Sequence, residues 1–183
     1  MTSPPPPITD ELRAEARSNP GAWVCAIDPE FKGADRVPPE GIIGAWRSDD
    51  AGELSDDFTP NPRYVPSPIA RGWPRPITKL ERVLQLARAG HATSRQLDEE
   101  FAASELVIIT RPEGEIVLAT AKDGSRLAYA FTDAEKAAAS GYPDLIVVPG
   151  RDYARTLPEG VRIALDPGAE FAAIIDPADI LKA

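Results

Sequence analysis

Few residues in this sequence are of a type that does covalent or metal chemistry. His91 is the only histidine and Cys25 the only cysteine, so a Ser-His-Asp or Cys-His arrangement would have to be built around one of them. His91 follows Gly90 at the natural stop of a helix, where a solvated loop residue is the plain expectation. Cys25 sits inside an apolar alternation with no basic neighbour in sequence, the setting of a small buried hydrophobe rather than a reactive thiolate. Carboxylates cluster at Asp49, Asp50, Glu53, Asp56 and Asp57, and a hard cation such as Ca²⁺ takes several such oxygens. The run lacks the D-x-D-x-D-G loop with its closing glutamate, so it reads as a solvated acidic face with at most weak cation affinity. Neither G-x-x-x-x-G-K nor G-x-G-x-x-G occurs, which removes the usual phosphate cradles. No catalytic residue, metal ligand or cofactor is assigned, and the chain is expected not to be an enzyme.

Binding surfaces remain. Trp46, Tyr64 and Trp73 lie in the part richest in proline, where aromatics form either a packed strap or an interaction platform. Burial of so much apolar area favours the strap. These three are nonetheless the candidate protein-binding residues, at the centre or the rim of a contact. A hairpin at the edge of the C-terminal sheet is the other surface that could accept a partner, by strand addition.

Composition narrows the classes further. A chain of 183 residues with 43% hydrophobic content can bury one good core or two small ones. The net charge of −9, with Lys and Arg scattered, repels phosphate backbones, so nucleic acid is not expected as a partner. No aliphatic run approaches the roughly 18–20 residues that span a bilayer, and residues 1–7 lack a signal peptide's charged and apolar regions. A single cysteine that cannot form an internal disulfide fits a reducing cytoplasm.

The elements follow from caps, periods and turns. Thr9 or Asp10 can cap a helix over Glu11–Arg17, which Asn19-Pro20-Gly21 ends. Trp23–Ile27 and Ile42–Arg47 read as strands able to pair across a long loop. From Phe58 to Ile77 recurrent prolines forbid helix or central strand, and Tyr64, Val65, Ile69 and Trp73 suggest a packed strap rather than a free linker. Thr78 opens the clearest helix, with Leu80, Val83, Leu84 and Ala87 on one face and Gly90 at its stop. Thr93 and Gln96 have capping-box spacing for a second helix carrying Leu97 and Phe101 inward. Leu106–Ile109 and Ile116–Ala119 are strands, and Asp123-Gly124 turns into Leu127–Phe131 as the far arm of a hairpin. Thr132 and Glu135 read as a second capping box. Leu145–Val148, short and β-branched, suits a central strand buried on both faces. A short helix over Asp152–Leu157 and strands at Val161–Leu165 and Phe171–Ile175 complete an α+β fold with small mixed or antiparallel sheets. The expected division is an N-terminal region over 1–77, with its proline strap, and a domain over 78–183 whose helical lead is 78–93.

From about Ser94 to Ala183 the sequence resembles the SseB-type domain, named for an enhanced serine sensitivity phenotype. The resemblance rests on Ala130-Phe131-Thr132 stepping into a helix, on Leu157-Pro158-Glu159-Gly160-Val161, and on Leu165-Asp166-Pro167-Gly168. Asp166 stands where the family more often has Asn, and Arg162 where it has Gly. The leading region, with Trp23, Asp28-Pro29, Ile43-Gly44-Ala45-Trp46-Arg47-Ser48, Tyr64-Val65-Pro66-Ser67-Pro68 and Gly72-Trp73-Pro74, resembles actinobacterial proteins called type VII secretion system-associated. These motifs are turns and caps, so the resemblance implies a fold and an accessory, adaptor or chaperone-like role, with no catalytic residue to carry over. The expected partner is another protein, either a secretion component or a secreted substrate. An alternative is an immunity-type protein whose acidic surface masks a basic secreted toxin. Oligomeric state is left open.

Overall fold

Thr9 opens the first helix, α1 (Asp10–Ser18), by accepting the Leu12 N–H on its hydroxyl at 3.4 Å, and the Asn19 N–H closes it on the carbonyls of Glu15 and Ala16. In the computed structural model, which describes residues 5–183, the chain forms two compact units divided between Pro74 and Arg75. No helix among the described residues is long and apolar enough to cross a membrane.

The first unit is built on an antiparallel sheet, β1 (Trp23–Ile27), β2 (Ile42–Ser48) and β3 (Leu54–Pro60), in that order. Its registers set Val24 opposite Trp46 and Trp46 opposite Phe58, so one face gathers large apolar side chains, as period-2 alternation requires. The strand β3 takes in the end of the acidic run that reads as a solvated face, and Asp49, Asp50 and Glu53 before it are exposed. Asp56 and Asp57 are exposed, but they sit on a paired edge strand, where negative charge and the terminal Pro60 discourage further pairing. The proline segment is also less extended than expected. The Arg71 N–H bonds to the Ser67 carbonyl at 2.9 Å and the Gly72 N–H to that of Ile69 at 3.0 Å, folding Ser67–Gly72 into tight turns.

The second unit starts with α2 (Lys79–Ala89) and α3 (Ser94–Ala103). Thr78 caps α2, and Gly90 ends it in the left-handed region at φ 90°. The His91 N–H then bonds back to the Leu86 carbonyl and the Gly90 N–H to that of Ala87, a Schellman arrangement only a residue without Cβ adopts freely. Thr93 and Gln96 form the expected capping box. There follow β4 (Glu105–Ile109), β5 (Leu118–Thr120), β6 (Arg126–Phe131), α4 (Ala134–Ala139), β7 (Leu145–Pro149), α5 (Gly150–Thr156), β8 (Val161–Leu165), β9 (Ala173–Ile175) and α6 (Pro177–Lys182).

The sheet order is β7-β4-β6-β8-β9, with β5 also on β6. Only β6–β8 is parallel among these pairs, so the sheet is mixed and the class is α+β. One face carries Leu106, Ile108, Ala130 and Ile163, packed with Phe101, Tyr153 and Ile180 of α3, α5 and α6. Close approach of α5 to α3 fixes a glycine: a Cβ at Gly150 would lie 2.0 Å from the Phe101 carbonyl oxygen. On the other face α4 covers only part, where Ala137 packs on Ile109 and Phe131.

Two expectations fail here. Leu145–Val148 is not a central strand: β7 has β4 on one side only, and Ile146 and Val147 are 44% and 62% exposed. Its β-branched composition reports propensity, not position in the sheet. The cap of α4 is Asp133, whose carboxylate takes the Lys136 N–H at 2.9 Å. Thr132 is thereby free for a different task.

Candidate functional site

The three aromatics singled out in the sequence have different fates. Trp46 is 2% exposed and stacks at a tilt on Phe58, ring centroids 4.6 Å apart, so it is core and cannot anchor a partner. Tyr64 is half-buried, and its hydroxyl donates to Asp28 Oδ2 at 2.9 Å. Burial together with the Asp28 charge pushes the phenol up to about 12, so it stays a neutral donor. Trp73 is half-buried, with the Arg71 guanidinium carbon 5.5 Å from the ring centre. The large exposed aromatic of this unit is instead Trp23, at 54%. Its alternation with Val24 and Ala26 was legible, but which side of the strand faced inward was not.

The residue that organises the strap is Asp28, fully buried. Its carboxylate accepts from the Ser67 hydroxyl at 2.5 Å, the Ser67 and Glu30 N–H groups at 3.0 Å each, and the Tyr64 hydroxyl. Burial alone would raise this carboxyl, but those four donors outweigh it and hold the group below the ordinary carboxylate value. A carboxylate with its partners filled in this way is structural.

Cys25 is also a correction. It is half-buried, on the wall of a groove of about 400 Å³ lined by Leu12, Glu15, Ile27 and Ile43 as well. Burial and then the Glu15 charge push its thiol up, which lowers the thiolate fraction at neutral pH. Cys25 belongs to the first unit and His91 to the second. Among the described residues no group of three or more His, Cys, Asp or Glu side chains is placed to hold a metal ion.

In the second unit the two quoted motifs meet. Asp166 is buried, with φ 48°, and its carboxylate accepts both the Thr132 N–H at 2.8 Å and the Thr132 hydroxyl at 2.7 Å. Left-handed backbone is tolerated by Asp and Asn better than by other side-chain-bearing residues, so Asp at this step keeps the geometry that Asn would give. Burial raises the Asp166 carboxyl, with Thr132 and Lys136 acting against it. The Lys136 ammonium bonds to Asp133 and Thr132 Oγ1, pairs with Glu81 Oε1 at 3.1 Å, and lies 3.7 Å from Asp166. Burial alone would lower Lys136, but the bonds to Asp133 and Glu81 prevail and raise it. Glu81 also takes the Ile77 N–H at 2.5 Å. One ammonium thus ties α2, α4 and the β8–β9 turn together.

That tie positions a groove on the less covered sheet face. Leu84 and Arg88 of α2 form one wall, Tyr129 of β6 and Ala164 of β8 its floor, and Pro167 and Ile174 the far side, enclosing about 620 Å³. Ile174 is 53% exposed. The groove is mostly apolar, with the cationic Arg88 on its wall. Sequence reasoning missed it because its walls come from four separate elements.

No curated protein and no solved structure matches the chain significantly. The family model described as SseB protein N-terminal domain matches residues 80–182, which takes in the cluster around Asp166, the groove and the whole mixed sheet, and the chain belongs to the SseB family.

Proposed function

We propose that this chain is a non-catalytic accessory or adaptor protein of a type VII secretion locus, acting by binding another protein. The observation that carries the binding reading is the apolar groove between α2 and β9, with Ile174 exposed at its side. With Trp46 in the core and Tyr64 committed to Asp28, the proline-rich part has fewer free anchors than its composition suggests. The groove fits a partner segment with apolar side chains and a carboxylate for Arg88. The secretion setting rests on the resemblance of the leading region alone.

A photo-crosslinking residue at Ile174, compared with one at exposed Glu113, tests this in cells that carry the gene natively. Adducts with a secretion component or secreted protein at position 174 only, and binding of that purified partner weakened by Ile174→Asp, are expected. Equal adducts at both positions, or unchanged affinity in folded Ile174→Asp, would sink the reading. The double variant Cys25→Ser, His91→Ala is expected to bind the same partner as the parent does. The immunity reading is favoured by the net charge of −9; a basic toxin as the adduct, bound more weakly as salt rises, would select it.

A further inference from the structure

The strand β7 ends the sheet, and among the described residues no strand pairs with its outer side. The Thr110 N–H donates to the Asp144 carbonyl at 3.0 Å and the Gly150 N–H to the Ser104 carbonyl at 2.8 Å, while Val107 stands opposite Val147. Antiparallel ladders alternate, so Asp144, Ile146, Val148 and Gly150 direct their backbone groups to β4, and Leu145, Val147 and Pro149 direct theirs outward. Val147, in the middle, is 62% exposed, and Tyr142, ahead of the strand, is exposed too. Natural edges are blunted by charge, proline, bulges or shortness, and of these β7 carries a proline only at its last residue, Pro149. Leu145–Pro149 has no charged side chain, and its register to β4 runs without a shift from Glu105↔Pro149 to Ile109↔Leu145. The opposite edge, β9, is three residues long.

We propose that β7 pairs with β7 of a second copy of this chain, giving a two-fold antiparallel dimer through which one sheet runs continuously. The outward residues are symmetric about Val147. A two-fold axis there sets Val147 opposite its counterpart and Leu145 opposite Pro149, overlapping the strand completely. The valine pair exchanges both N–H···O bonds, and each Leu145 N–H reaches a Pro149 carbonyl. The missing N–H of Pro149 removes one bond at each end and nothing else. The ends are complementary in charge as well. Asp144 precedes the strand and Arg151 follows it, and antiparallel alignment brings each Asp144 toward the other copy's Arg151. This interface lies on the edge opposite the groove, so its test is separate from that of partner binding.

Sedimentation equilibrium of the full chain should show a monomer–dimer equilibrium. Val147→Lys sets two ammonium groups face to face at the axis and should raise the dimer dissociation constant at least about ten-fold, with circular dichroism and melting unchanged. Val147→Cys in a Cys25→Ser background should oxidise to a disulfide-linked dimer, because paired Cα atoms about 5.5 Å apart are within disulfide reach. Ile174→Cys in the same background, on the other edge, should not. A parent chain that is monomeric at every concentration, a dimer unaffected by Val147→Lys, or a Val147→Cys chain that links no faster than Ile174→Cys overturns the proposal.

Discussion

Two residues show how much a side chain's environment adds to its type. Asp28 looked in sequence like the end of a strand before Pro29; in the fold it is the fully buried acceptor for Ser67, Tyr64 and two backbone N–H groups. Asp28→Ala strands several donors in a dry site, each costing about 1–3 kcal/mol, so a loss of about 3 kcal/mol or more is expected in the unfolding of the first unit. The pH dependence has a definite sign. The folded-state pKa of Asp28 lies below its ordinary value, so its contribution is present above about pH 4 and disappears as pH falls through the folded pKa. Acid titration of the parent and Asp28→Asn, followed by circular dichroism, should show the parent losing its stability advantage on acidification; equal pH slopes would contradict this. Trp46 and Trp73 divide similarly. Trp46→Ala should cost about 3–5 kcal/mol of stability, as truncation of a core tryptophan does, and Trp73→Ala, half-exposed, distinctly less. Chemical denaturation of both variants separates the two environments.

At the scale of elements, what was legible is what is local. The helix α2 was readable from Thr78 to Gly90 because cap, apolar face and left-handed stop all lie within its own residues, and α3 likewise from Thr93 and Gln96. The hairpin β5–β6 declared itself through Asp123-Gly124. The strand β3 did not, because Asp56 and Asp57 look like loop; they lie where its register shifts, between the pairs Ser48↔Leu54 and Trp46↔Phe58 that tie β3 to β2. The place of β7 could not be read either, since side-chain propensity is the same at the edge and the centre. The motif residues were quotable as turns, yet nothing in their spacing announced that Thr132 would donate to Asp166 across 34 positions. The groove depends on that long-range tie. Lys136→Met should therefore loosen α2 against α4 by leaving the Glu81 carboxylate without its cation, a change of about 1–3 kcal/mol for a partly buried charged pair. Faster amide exchange in α2, with α3 unaffected, is the expected signature; uniform protection in both would argue that the ion pair does little. Gly150→Ala tests packing directly, because its methyl would press on the Phe101 carbonyl, and overpacking of this kind costs about 1–3 kcal/mol.

For the whole molecule the question is what each compact unit needs in order to fold. The second unit holds a core running from Leu80 to Ile180, its helices α2, α3, α4 and α6 are capped by its own residues, and its partly buried cluster of Glu81, Asp133, Lys136 and Asp166 is internal. Its length is that of many autonomous domains. Residues 75–183 produced alone should unfold cooperatively, at the temperature of the corresponding transition in the full chain, and should keep the slow amide exchange of β4, β6 and β8. The first unit supplies the contrast, because Asp28→Ala in the full chain acts on a bond set that lies wholly before Pro74. That variant should lower the melting of the first unit and leave the second unit's transition where it was. Calorimetry of the full chain, the Asp28→Ala variant and the isolated second unit decides it: a truncated chain without a cooperative transition, or a second-unit transition displaced by Asp28→Ala, would show that the two units depend on one another for stability.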